Sequence, residues 1–368
     1  MRGPYPAQGE GAKTPKKTLV PSRRRRFVAL AFACALLSLL SVAPARADVS
    51  FAGRPAAQEG LQLPARVNGP GLDLSTPAGF QRRFWPGVNL GSTIPGHQPG
   101  EVAATRRQYD AWFDGMGDLG VRVVRVYTIL RPAFYDALAA HNAKHPAAPI
   151  YFIQGIWLPG EEDWYAHGDA YAPAVTDTFH AEIDDAVAVV HGQANLPQRP
   201  GHAGGQYKAD VAKYLLAWSP GIEWDSAAVR KTDELNAGRP AYEGRYIDAA
   251  SGATPMESWI ASMSDRAAIQ DAARGWSHPM TFTNWLTADP LAHPDEPLEH
   301  EDAVSVDATH LSATTAWPGG FFASYHAYPY YPDFLRLQPK YLQYARARDG
   351  TVDPYAGYLN ELRRHHGG

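Results

Sequence analysis

The chain has 368 residues, 45% hydrophobic and 20% charged, with a formal net charge of -4. That is enough apolar chain for a sizeable core, built as two domains or as one large barrel. The near-balanced charge argues against a nucleic-acid partner or a strongly anionic substrate.

The N-terminus, "RRRRFVALAFACALLSLLSVAPARA", has a basic start, an apolar run and Ala45-Arg46-Ala47. This predicts a secretory signal peptide over residues 1–47, cleaved after Ala47. The apolar run is shorter than the ~20 residues a spanning helix needs. An uncleaved anchor is the alternative, and the arginines at 23–26 also suit a twin-arginine signal. The expected location is secreted or cell envelope, with membrane contact only in transit. The single cysteine, Cys34, falls inside the apolar run, so the mature chain is expected to carry no disulfide.

Residues 48–83 are rich in Pro, Gly, Ala and Gln and read as a linker or surface strap. From residue 84 short apolar runs alternate with helical spacing. Strands are predicted over 84–91, 121–130, 149–158, 209–218, 279–285 and 302–307. Residues 321–332 read as a strand extension or an ordered loop. Helices are predicted over 107–120, 131–146, 179–192, 254–276 and 353–366, the fourth opened by the capping pair Thr254 and Glu257. Strand alternating with helix predicts a parallel α/β sheet. A doubly wound sheet is the rival, but "GVNLGSTIPG" lacks its phosphate-loop spacing.

Polar and aromatic residues gather just after the strands: Asn89, Tyr127, Gln154, Trp157, Glu223, Asn284, Trp285 and Asp307. A TIM-type (β/α)8 barrel carries its site residues there. Glu223 stands between Ile222 and Trp224, and apolar neighbours would keep its proton on for acid catalysis. Trp157, Trp224 and Trp285 would offer flat faces to sugar rings. His326 and Tyr328 would put an imidazole and a phenol in the same mouth, and Arg125 would hold a carboxylate ionised. Each has a plainer reading. Glu223 would be a solvated loop residue, Arg125 a structural ion pair, the aromatic run after Tyr325 a cover for the mouth, and Trp285 core. The histidines of "HPDEPLEHED", His293 and His300, suit a metal by composition but lack helical spacing, and read as a solvated loop.

The runs "GVNLG", "DLGVRVVRVYTI", "GIEWD", "TNWLTADPL" and "SYHAYPYYPDF" together resemble the clan A glycoside hydrolases, over residue 84 to the C-terminus. The resemblance implies a (β/α)8 barrel and a retaining glycosidase. It matches Glu223 to the acid/base after strand four, His326 and Tyr328 to a His-x-Tyr pair near strand six, and Arg125 to the arginine of strand two. A carbohydrate ligand and no cofactor or metal are expected. Two positions depart from the pattern. Ile222 stands where the family has an Asn that binds the sugar 2-hydroxyl. The family's nucleophile, a glutamate ending strand seven, has no counterpart, which leads to the expectation of a fragment lacking strands seven and eight. The alternatives are a non-catalytic carbohydrate-binding or cell-envelope barrel, and an inactive remnant.

Overall fold

The structure, a computed structural model, describes residues 50–344 and 350–367. The expected signal peptide, with Cys34, lies outside the described residues. No described helix is long and apolar enough to cross a membrane.

The segment expected as linker or strap is built of short antiparallel strands. β1 (Ala56–Gln58) pairs with β2 (Leu61–Leu63), and β3 (Ala65–Asn68), β4 (Gly71–Thr76) and β5 (Gly79–Arg82) form a three-stranded sheet. Asp73 organises that sheet, accepting hydrogen bonds from Arg82 Nε (2.6 Å) and Asn68 Nδ2 (2.7 Å).

A parallel sheet follows. β6 (Gly87–Leu90), β7 (Val123–Val126), β8 (Tyr151–Ile156) and β11 (Leu215–Pro220) lie side by side in chain order. The two short strands between β8 and β11, β9 (Ala194–Leu196) and β10 (Gly205–Tyr207), form an antiparallel pair in the insert. β11 continues onto residues 279–285: Trp218 N–H donates to Pro279 O at 2.9 Å and Thr281 N–H donates back to Trp218 O at 2.9 Å. That stretch ends in β13 (Thr283–Trp285), which pairs in parallel with β15 (Ser324–His326). A second antiparallel pair, β12 (Ile247–Ala249) with β14 (Leu311–Ala313), lies in the later inserts. The result is a mixed α/β fold around parallel strands that neighbour one another in chain order, with no closed barrel among the described residues.

The helices are α1 (Arg106–Asp118), α2 (Pro132–Lys144), α3 (Glu161–His167), α4 (Pro173–Val190), α5 (Ser226–Leu235), α6 (Pro255–Ala272), α7 (Phe334–Leu337), α8 (Pro339–Leu342) and α9 (Pro354–His365). The capping box at α6 forms as the residue types require: Thr254 Oγ1 accepts from Glu257 N–H and Glu257 Oε2 accepts from Thr254 N–H at 2.8 Å.

The predicted strand at 302–307 does not form, and the sixth parallel strand is β15. The alternation in "DAVSVD" is outweighed by side chains that take its polar groups. Asp302 Oδ2 accepts from His293 N–H, Val306 O accepts from Asn284 Nδ2, and Asp307 N–H donates to Glu257 Oε1. A run whose backbone is satisfied this way has no ladder to offer.

The early antiparallel strands cover the N-terminal ends of the parallel strands. Gln62 N–H donates to Gly275 O, and Val67 N–H donates to Gly319 O, both at 2.8 Å and both just before a parallel strand begins. Phe51, Ala65 and Leu74 pack with Val123, Tyr151 and Leu216 in one apolar cluster. Trp85 sits edge-on between Phe51 and Tyr151, 5.3 Å from each. Each such large side chain, fully buried, stabilises by about 1.5–3 kcal/mol. With this end sealed, the open end of the sheet is the C-terminal one.

Candidate active site

At the exit of β11 the chain turns twice through positive φ, at Gly221 (89°) and at Glu223 (49°). Only glycine fits the first turn, since a Cβ there would lie 1.8 Å from Trp224 Cζ2. Glu223 holds a left-handed conformation that costs a non-glycine residue energy, and such strain gathers at functional positions. Its N–H donates to Thr283 O at 3.0 Å, pinning the turn to β13.

These turns send neighbouring side chains opposite ways. Trp224 goes inward and is only 2% exposed, packed against Trp164, Trp259 and Phe179. The expectation that Trp224 faces a sugar is therefore corrected: it is core of the helical layer. Ile222 is buried as well. The apolar enclosure expected around Glu223 is not what its carboxylate meets.

That carboxylate meets His326. Glu223 Oε1 pairs with His326 Nδ1, and His326 Nε2 pairs with Arg125 Nη1. An arginine can only donate. His326 Nε2 must therefore accept, which puts the ring proton on Nδ1, where it donates to Glu223. The array joins the C-terminal ends of β7 and β15 and the turn after β11. The Arg125 guanidinium lies 4.8 Å over the Tyr127 ring, and Tyr127 is 6.0 Å from the His326 ring. Burial pulls Arg125 below its ordinary pKa, opposed by Tyr127, Glu223 and Tyr328. Burial, with Glu223 next, raises the phenol of Tyr328. Two Arg125 nitrogens, Nε and Nη2, are buried with no hydrogen-bond partner among the described residues.

Trp285, in register with His326, makes edge contact with Tyr328 at 5.7 Å and lies 5.8 Å from Tyr331. It is half-buried, an aromatic wall rather than sealed core. Asn89 is exposed beside Arg125 in the β6–β7 register. Trp157 lies further along, lining a cleft of about 480 Å³ together with Tyr127.

Asn284 and Asp307 do not join this group. Asn284 is fully buried, and its amide donates to Ala288 O and Val306 O, fastening the loop after β13. Asp307 accepts from Thr309 N–H and pairs with His365 Nε2 of α9, both at 2.8 Å. Both were expected to bind substrate; their hydrogen-bonding capacity goes to holding loops and the last helix.

The solvated-loop expectation for "HPDEPLEHED" holds for His300 but not for His293. His293 is 1% exposed and stacks at 3.5 Å on Phe334. With Asp289 and Asp302 it forms a group compact enough for a metal, as do exposed Asp114 and His145 with buried His141. In the buried group the polar atoms are already spent: His293 bonds Asp289 and Gln338, Tyr358 Oη–H donates to Asp289 at 2.6 Å, and His293 N–H donates to Asp302. This is the pattern of a core network.

Sequence reasoning passed over Glu161 and Glu182, which line the same cleft as Trp157 and Tyr127. Burial raises Glu161 above the usual carboxylate range; Tyr165 and Trp157 oppose it, and the charges of Glu162 and Glu223 add to it. Both were hidden in helical stretches. The only signal was a helix start, "LPGEED", directly after a predicted strand.

No family model matches the chain, and no curated protein matches it. Among solved structures, it is similar to the crystal structure of Parabacteroides merdae beta-glucuronidase with glycerol in its active site, at 10% identity and a TM-score of 0.33. The match covers 64% of this chain and spans 28% of that chain, a likeness too slight to carry an argument about the reaction.

Proposed function

We propose that this chain is a secreted glycosidase-like α/β domain of the (β/α)8 type, in which Glu223 serves as the acid/base for cleavage of a glycosidic bond. The observation that carries the reading is the array Arg125–His326–Glu223 at the C-terminal ends of the parallel strands. Glycoside cleavage needs a carboxyl that protonates the departing oxygen and then takes a proton from water. A carboxylate oriented by one neutral imidazole, itself oriented by a fixed cation, keeps one oxygen free for that exchange. Trp285, Tyr328 and Tyr127 supply flat, polar-edged faces around it. The sequence resemblance implies a retaining course, in which the anomeric carbon bonds to a glutamate nucleophile for which this chain shows no counterpart, so Glu223 carries only the acid/base half of the reaction. The basic-apolar N-terminus with its A-x-A site supports export. The reading is tested with activated aryl glycosides on a form of the protein that carries the nucleophile as well: Glu223→Gln lowers cleavage by about 10²–10⁴-fold while the melting transition is unchanged. Full activity in Glu223→Gln removes the assignment.

A second reading, a barrel that binds carbohydrate without cleaving it, is favoured by one feature. Among the described residues no second carboxylate hydrogen-bonds Arg125, His326 or Glu223, and the spare Arg125 N–H groups would then donate to sugar hydroxyl oxygens. Glycan binding that survives Glu223→Gln, is lost in Trp285→Ala and is never accompanied by cleavage selects this reading.

A further inference from the structure

We propose that the cleft beside the Glu223 array is a subsite for an amino sugar, whose protonated amine faces Glu161 and Glu182. The inference rests on the carbohydrate reading of the site and adds the chemistry of the ligand.

The cleft, about 480 Å³, opens off the array through Tyr127, which borders both. That volume lies within the range of small-ligand pockets. Trp157 and Tyr127 provide faces for a sugar ring. The remaining ionisable groups on its wall are lopsided: Glu161, Glu162 and Glu182 against His202. Burial and the neighbouring Arg199 lower the pKa of His202, disfavouring its charged form.

Glu182 is the most telling of these. It comes from the middle of α4 and is only 4% exposed, yet it reaches the cleft wall. It makes no hydrogen bond among the described residues. Its one ionic neighbour is Arg199 at 4.0 Å, a half-exposed side chain that Glu182 shares with Asp185. A buried carboxyl without a donor is costly unless something supplies one. Burial, with Asp185 adding and Arg199 opposing, pushes Glu182 up to about 7. Thr93 Oγ1, also on the cleft wall, is buried and unpartnered. An ammonium group returns such carboxyls to their charged form and satisfies them with its three donors. A neutral sugar gives less, and a carboxylated sugar would be repelled.

The test is calorimetric titration of the full chain at neutral pH with a glucosamine oligosaccharide, its N-acetylated counterpart and a neutral glucose oligosaccharide. The expected result is about tenfold tighter binding of the free amine than of either neutral ligand. Glu161→Gln and Glu182→Gln should each cut that ratio. Glu161 sits at the start of a surface helix, so its variant remains informative if the buried Glu182→Gln variant fails to fold. Equal affinity for all three ligands, or a preference that survives Glu161→Gln intact, overturns the subsite. Cleavage of neutral glycosides with no amine preference overturns it while sparing the glycosidase reading. A preference for the amine with no cleavage of any glycoside leaves the subsite standing and removes that reading. Failure of all three to bind overturns both.

Discussion

The two ends of the parallel strands are built by opposite rules. At the N-terminal end an apolar cluster forms, Phe51, Leu74 and Leu216 around Trp85 and Tyr151, with the Tyr151 hydroxyl donating to Phe51 O at 3.0 Å. At the C-terminal end polar groups are left without partners. Arg125 keeps two bare nitrogens, Thr93 a bare hydroxyl, and Glu223 a left-handed backbone. One end is mainly apolar packing and contributes stability. The other holds unsatisfied groups in place because the first end is secure, as expected where binding or chemistry is carried by loops on a rigid scaffold.

Substitutions at the two ends should separate the two properties. The largest effect belongs to the open end: Glu223→Gln lowers cleavage of an activated glycoside by about 10²–10⁴-fold, the worth of a general acid/base. Its urea midpoint should not move, and a matching loss of stability would erase the contrast.

Next comes a buried trio behind the sealed end. Asp271 is fully buried, pairing with His278 Nδ1 at 2.6 Å and His191 Nε2 at 3.1 Å. Burial alone would raise it, but the two histidines hold its carboxyl well below the usual range. A depressed folded pKa stabilises the fold above the ordinary carboxylate pKa, and that contribution is lost as pH falls toward the folded value. Asp271→Asn should cost about 3–5 kcal/mol at pH 7, because it strands two buried imidazoles. Urea midpoints of wild type and variant should stay apart from pH 7 down to about pH 4 and draw together only below it, as pH falls from the ordinary carboxylate pKa toward the folded one. A gap that does not narrow below about pH 4 would show that the carboxylate charge is not what stabilises.

Leu74→Ala, in the sealed cluster, should cost about 2–5 kcal/mol and leave ligand affinity untouched. A loss of affinity without a loss of stability would mean that the sealed end reaches the site. The smallest effect is expected from Trp285→Ala, which removes one wall of the open end. It should weaken glycan binding by about tenfold with no change in thermal midpoint.

Much of this organisation was legible in the chain. The helix spacing, the Thr254–Glu257 cap and the first five parallel strands follow from patterns within a dozen residues, where local periodicity and capping chemistry act, whereas the short strands at 56–82 were read as a linker. The Val/Ile-rich runs also indicated which residues end a strand, so Glu223, Arg125 and Trp285 could be named as a group. What failed was side-chain direction. Trp224 and Glu223 are adjacent in a loop, and no periodicity says which faces the cleft; the positive φ at Gly221 and Glu223 decides it. Asn284 and Asp307 have the right chemistry at the right strand ends. Their partners, Val306 and His365, lie in later segments that no local pattern links to them.

The sequence by itself determined five of the parallel strands, five of the helices and the strand ends at which chemistry gathers, because those depend on neighbours a few residues apart. Only the tertiary structure joined Glu223 to His326 across 103 residues and His326 to Arg125 across 201. It also brought the carboxyl of Glu182 from a buried helix to the wall of the cleft beside that array. Such contacts are set by how the strands align and how the chain turns between them, and separation along the chain carries no record of either.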